Sequence, residues 1–170
     1  MTSPPSEHRH REPSGALWCA LSLVERLEFV AGSALSTGWN GRGVGTVQVE
    51  DSGSGVLIFN ERGVWRPEGG GESRFRNVFR WTRLGLTSIR LEHLRFGPER
   101  PVPLFDLIPG ESGEWRSERP HLCGPDRYDA ELWERDWGIE MVWSITGPRK
   151  AERIEYHYRP GKLKAVRGKQ

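Results

Sequence analysis

Beyond Gly41 the chain alternates. Short runs in which every second residue is apolar or aromatic are separated by clusters of Gly, Pro, Asp and Ser. A period of two is the spacing of a half-buried strand, and the clusters are turn chemistry. The alternation predicts strands over Val44–Glu50, Val56–Asn60, Val64–Arg66, Arg74–Arg83, Leu86–Phe96, Val102–Ile108, His121–Cys123, Tyr128–Trp133, Gly138–Thr146 and Glu152–Arg159. Between them, Asp51–Gly55, Glu61–Gly63, Pro67–Glu72, Gly97–Arg100 and Gly147–Lys150 read as turns, and Pro109–Arg119 as a polar loop. Upstream the period changes. Leu17, Leu21, Val24 and Leu27 recur at helical spacing with Glu25 and Arg26 opposite, predicting a short helix that ends near Ala31-Gly32. The stretch Gly38 to Gly45 is too rich in glycine for a helix and reads as a bent first strand.

Many short strands in sequence order, with no βαβ alternation and no internal repeat, predict an all-β fold. The simplest solution is an antiparallel up-and-down barrel of about eight to ten strands. Alternation also sorts the faces. Phe75, Asn77, Phe79 and Trp81 share one side of their strand. So do Ile89, Leu91, His93 and Arg95, then Ile139, Met141, Trp143 and Ile145, and lastly Ile154, Tyr156 and Tyr158. These are the expected inward residues; Arg80, Arg90, Glu92, Leu94, Phe96, Glu155, His157 and Arg159 are expected to face out. The interior is thus aromatic with a few polar ends, the composition of a small-ligand pocket. Eight tryptophans could equally fill the barrel as a solid core, and both readings stand.

With 170 residues the chain fits one domain. Residues 1–14 read as a disordered head, 15–159 as the barrel and 160–170 as a basic disordered tail holding Lys162, Lys164, Arg167 and Lys169. The formal charge of +2 is concentrated in that tail, and removing both ends leaves a slight acidic excess. That argues against nucleic acid as a partner. No apolar run is long enough to span a bilayer, and Met1 to Gly15 lacks the apolar core of a signal peptide, so cytoplasm is the expected location. Cys19 and Cys123 make no disulfide framework. A homodimer is the quaternary arrangement left open.

His121 and Cys123, two residues apart, lie on one face of an extended strand. With Asp126 or His93 they could hold zinc, but no second ligand pair accompanies them, and no metal is expected. A Cys-His nucleophile would need an orienting group such as Asp126 and a positive neighbour for the thiol. A strand-end imidazole beside a structural thiol is the simpler reading. Arg80, Arg95, His93 and Lys150 could clamp a carboxylate or phosphate at a barrel mouth, or else pair with Glu61, Glu92, Asp106 or Asp126. His93 or His121 over an apolar pocket is the minimum for a haem ligand, a minor reading.

The paired segments His121-Leu122-Cys123-Gly124-Pro125-Asp126-Arg127-Tyr128 and Trp143-Ser144-Ile145-Thr146-Gly147-Pro148-Arg149-Lys150, with Leu57 to Gly63 and Phe79-Arg80-Trp81 upstream, resemble the domain-of-unknown-function family 6314. The resemblance runs from about Leu27 to Arg159 and implies no known activity. Glu28-Phe29-Val30-Ala31-Gly32 followed by Gly38-Trp39 is similar to the first strand of lipocalin-like barrels, nitrobindins among them, although Ser33 to Thr37 intervene. That similarity implies a calycin-like barrel and a hydrophobic ligand. It transfers no haem-ligand position. The expected function is binding of a small, partly apolar molecule with an acidic or polar head. Trp81, Trp143, Tyr156 and Tyr158 would form its wall, and His93, Arg95 and His121 would hold its head, with Cys123 and Tyr128 alongside. Two alternatives stand: an isomerase, lyase or hydrolase using His93 or His121 as general base, and a filled barrel that docks partners through its outer face.

Overall fold

The computed structural model describes residues 13–35 and 39–161. Most of the predicted head and tail, and Gly38 of the Gly38-Trp39 pair, lie outside them. A helix α1 (Pro13–Ser22) is followed by eleven strands: β1 (Val24–Ser33), β2 (Gly41–Asp51), β3 (Val56–Pro67), β4 (Ser73–Arg83), β5 (Ile89–His93), β6 (Val102–Pro109), β7 (Trp115–Ser117), β8 (His121–Cys123), β9 (Asp126–Arg135), β10 (Gly138–Gly147) and β11 (Lys150–Pro160). Each strand runs antiparallel to its neighbour. The meander closes where β7 and β10 flank β9 and where β11 returns to β1. The result is a closed ten-stranded antiparallel barrel, with β8 paired only to the start of β9.

The predicted helix runs too far. It stops at Ser22, whose hydroxyl bonds the Cys19 carbonyl at 2.8 Å. Val24 to Ser33 is strand β1 and alternates, with Leu27, Phe29 and Ala31 buried inward. The glycine-rich segment is consequently the second strand. Gly43 has a specific use there, because a Cβ at this position would enter the ring of Phe29 on the adjacent strand. The turn expected at Glu61–Gly63 is absent, and β3 runs unbroken from Val56 to Pro67 with Leu57, Phe59, Glu61 and Trp65 buried. Strand β5 is shorter than predicted and ends at His93, so Arg95 sits in the following turn. Leu94, expected outside, is buried there. The polar loop Pro109–Arg119 contains β7, anchored by the buried Trp115.

The inward faces predicted for β4, β10 and β11 are as observed: Phe79, Trp81, Ile139, Met141, Ile145, Ile154 and Tyr158 are buried. The two ends of the barrel differ. At the end where β4 finishes and β5 begins, α1 forms a plug. Ser14 donates from its backbone amide to Leu86 O (3.2 Å) and from its hydroxyl to Gly85 O (3.0 Å), while Arg83 Nε donates to that hydroxyl (3.1 Å). The i, i+4 pair Leu17 and Leu21 is completely buried with Trp81, Ile89 and Leu107 in one core. The opposite end carries β8 and stays open.

Candidate ligand-binding site

At the open end the inward side chains enclose a cup of about 280 Å³. Strand β4 contributes Asn77 and Phe79, β5 His93, the turn after it Arg95, and β8 His121 and Cys123. Tyr128 comes from β9, Trp143 from β10, and Ile154 and Tyr156 from β11. Alternation puts every one of the strand residues on the inner face, which is why residues far apart in sequence converge. The walls are flat rings in mutual contact. Tyr156 stacks on Phe29 with centroids 5.0 Å apart, and Trp143 meets Phe105 edge to face at 5.2 Å. Trp39 stacks on Trp65 at 4.9 Å and stands half-exposed at the rim.

The polar groups of the cup are donors or bases, and no Asp or Glu lines it. The His93 ring stacks on Phe79 at 4.8 Å, and burial, followed by the charge of Arg95, pushes its pKa below the usual imidazole value. His121 meets Tyr128 edge to face at 5.7 Å. Among the described residues neither imidazole has a hydrogen-bond partner. The Arg95 guanidinium lies 4.6 Å from the centroid of the Phe96 ring, a cation–π contact that leaves its N–H edges available. The indole Nε1 of Trp143 is buried with no acceptor. An orphaned buried N–H of this kind costs about 1–3 kcal/mol.

Behind the lining lies Glu61, fully buried. Tyr158 donates its hydroxyl to Glu61 Oε1 at 2.7 Å, and Asn77 Nδ2 donates to Oε2 at 3.1 Å. Burial raises the carboxyl pKa from 4.5 to about 7, against the opposing pull of these two hydrogen bonds. Burial, and then the charge of Glu61, raises the Tyr156 and Tyr158 phenols as well. Asn77 therefore touches both the cup and a buried acid.

Of the residues predicted for the site, His93, Arg95, His121, Cys123, Tyr128, Trp143 and Tyr156 come together around one cavity. Trp81 and Tyr158 lie deeper, buried in the core. Arg80 is outside the barrel, where its Nε bonds Glu92 Oε2 at 2.7 Å. Lys150 is on the rim of the hairpins, held by Asp126 at 2.7 Å and by the Tyr128 hydroxyl at 3.3 Å. Neither lines the cup. Asp126 is thus committed to Lys150 and not to His121 or Cys123. Cys123 is exposed and free, and no group of three or more His, Cys, Asp or Glu with the geometry to hold a metal occurs among the described residues. The cup is at the lower edge of small-molecule pocket volumes. Sequence reasoning missed Glu61 and the lining role of Phe79, Ile154 and Trp39. The signal for Glu61 was the unbroken alternation Leu57, Phe59, Glu61, Gly63, Trp65.

A model of DUF6314, described as a family of unknown function, matches residues 30–160. No curated protein and no solved structure matches the chain.

Proposed function

The chain belongs to DUF6314, a family of unknown function, and from that premise and the geometry of the open end we propose that the barrel binds a small, partly apolar anion without chemically changing it. The observation that carries this reading is the cup itself: aromatic walls around a cluster of His93, Arg95 and His121 with no opposing carboxylate. Apolar walls with a few convergent polar groups are what small-molecule sites use. Arg95 offers a planar fork that fits a carboxylate, and the two unpartnered imidazoles add donors beside it. A general base would need a group that orients its ring. Neither imidazole has one among the described residues, which favours binding over turnover. The up-and-down closure, the plugged end and the open cup support a calycin-like architecture.

Benzoate is a suitable probe, and Trp39 and Trp143 are built-in reporters of its arrival. Titration is expected to change tryptophan fluorescence saturably. Arg95→Ala should weaken binding about tenfold, the effect of losing a charged hydrogen bond at a partly exposed site. An unsaturable response, or an affinity unchanged from that of the natural chain in both Arg95→Ala and His93→Ala, would rule the reading out.

A further inference from the structure

We propose that the cup selects a flat aromatic acid bearing a second hydrogen-bonding substituent opposite its carboxylate, and that Asn77, oriented by Glu61, reads that substituent. This rests on the anion-binding reading and names the ligand class more closely.

Three observations lead there. The walls are rings, with Phe79, Trp143 and Tyr156 lining the space and Tyr156 already stacked on Phe29, so a planar ring fits better than a chain. The cationic and imidazole groups take the carboxylate. That leaves Asn77, which a bare phenyl ring does not satisfy. Asn77 also does not turn freely. While its Nδ2 donates to Glu61 Oε2, its Oδ1 is the atom left for the cup, and an acceptor there calls for a donor on the ligand.

The orientation is set by a proton. Ionised Glu61 accepts from both Tyr158 and Asn77, so Asn77 shows the cup its oxygen. Protonated Glu61 can donate from its own O–H to Asn77 Oδ1, which turns the amide over and shows the cup its NH2. A hydroxyl substituent serves either state, an aromatic amine prefers the ionised one, and an ether oxygen prefers the protonated one. The titratable groups facing Glu61 are Tyr156 and Tyr158 of β11; β4 and β2 set Asn77 and Val47 opposite it, and no ion pair reaches it among the described residues. At the mouth His93, Arg95, His121, Cys123 and Tyr128 are the other ionisable side chains. These act on the shared carboxylate, so they cancel when two ligands are compared at one pH.

The experiment measures dissociation constants of benzoate, 4-hydroxybenzoate, 4-aminobenzoate and 4-methoxybenzoate by fluorescence, at about pH 5.5 and about pH 8.5, on either side of the Glu61 transition. For the intact chain, 4-hydroxybenzoate should bind about three- to tenfold tighter than benzoate at both values, the gain of one hydrogen bond. The amine-to-benzoate preference should rise with pH and the methoxy-to-benzoate preference should fall. Asn77→Leu should abolish all three preferences, with Asn77→Ser as the alternative should the leucine variant fail to fold. Glu61→Gln donates permanently to Asn77 and should hold the low-pH preferences at every pH. Benzoate binding with substituent preferences that are absent, unmoved by pH or retained in the Asn77 variants would overturn this inference while leaving the anion reading intact. No binding by any of the four acids would overturn both.

Discussion

The fate of Glu61 is decided by the cost of burying charge. The carboxyl has two donors and no cation, so burial wins and the proton is held to about pH 7 in the folded chain, against 4.5 for an ordinary glutamate. Between those values the folded chain keeps a proton that the unfolded chain has released. Stability is therefore full below about pH 4.5, falls as pH rises toward 7, and levels off above it, with a total effect of about 3 kcal/mol. Glu61→Gln removes this dependence and keeps the hydrogen-bonding shape. Chemical denaturation should show the variant level with the natural chain in acid and more stable above pH 7, with a Tm gain of several degrees at about 2–4 °C per kcal/mol. Equal pH profiles for the two proteins would contradict the buried acid. The same residue shows why part of the site escaped sequence reasoning. Glu61-Arg62-Gly63 has turn composition, and only the continuing period of two across Leu57 to Trp65 tells against a turn. His121 and Cys123 were easier, because their spacing fixes a shared face whatever the fold around them.

At the level of elements, the boundary between α1 and β1 is where two periods overlap. Leu17, Leu21, Val24 and Leu27 satisfy a helix, and Leu27, Phe29 and Ala31 satisfy a strand; the chain uses Leu27 for the second. Competition for Leu27 is settled by pairing, since β1 joins β2 and β11 and closes the barrel. Tertiary partners of that kind are invisible to a local pattern. Strand β7 is hidden for a related reason. It is three residues long and owes its place to one buried tryptophan, Trp115, between β6 and β9. By contrast β4, β10 and β11 each carry several alternating apolar residues, and their inner faces were legible. The helix contributes packing, not chemistry. Leu17→Ala should cost about 2–5 kcal/mol in denaturant unfolding, the range for a fully buried leucine. Benzoate affinity should be unchanged in that variant, because the helix plugs the end opposite the cup; a weakened affinity would show that the plug shapes the site.

For the whole molecule, closure of the meander separates the packed end from the open cup. The completely buried side chains Leu17, Leu21, Trp81, Ile89, Leu107 and Ile139 gather toward the plugged end. The half-buried and exposed His93, Arg95 and His121 gather at the other. Sequence alternation reveals the two faces of each strand, but it does not reveal which end of a barrel is filled, since that depends on where a helix outside the sheet docks. Substitutions at the two ends should then behave as independent sites. In a cycle of Leu17→Ala, Arg95→Ala and the double variant, unfolding free energies should add to within about 0.3–0.5 kcal/mol, as they do for distant residues with no shared partner. The benzoate affinity of the double variant should equal that of Arg95→Ala alone. A coupling larger than this would mean that the core between the ends transmits strain. Glu61, Tyr158 and Asn77 would be the connection to test next, because their hydrogen bonds lead from the buried layer to the cup.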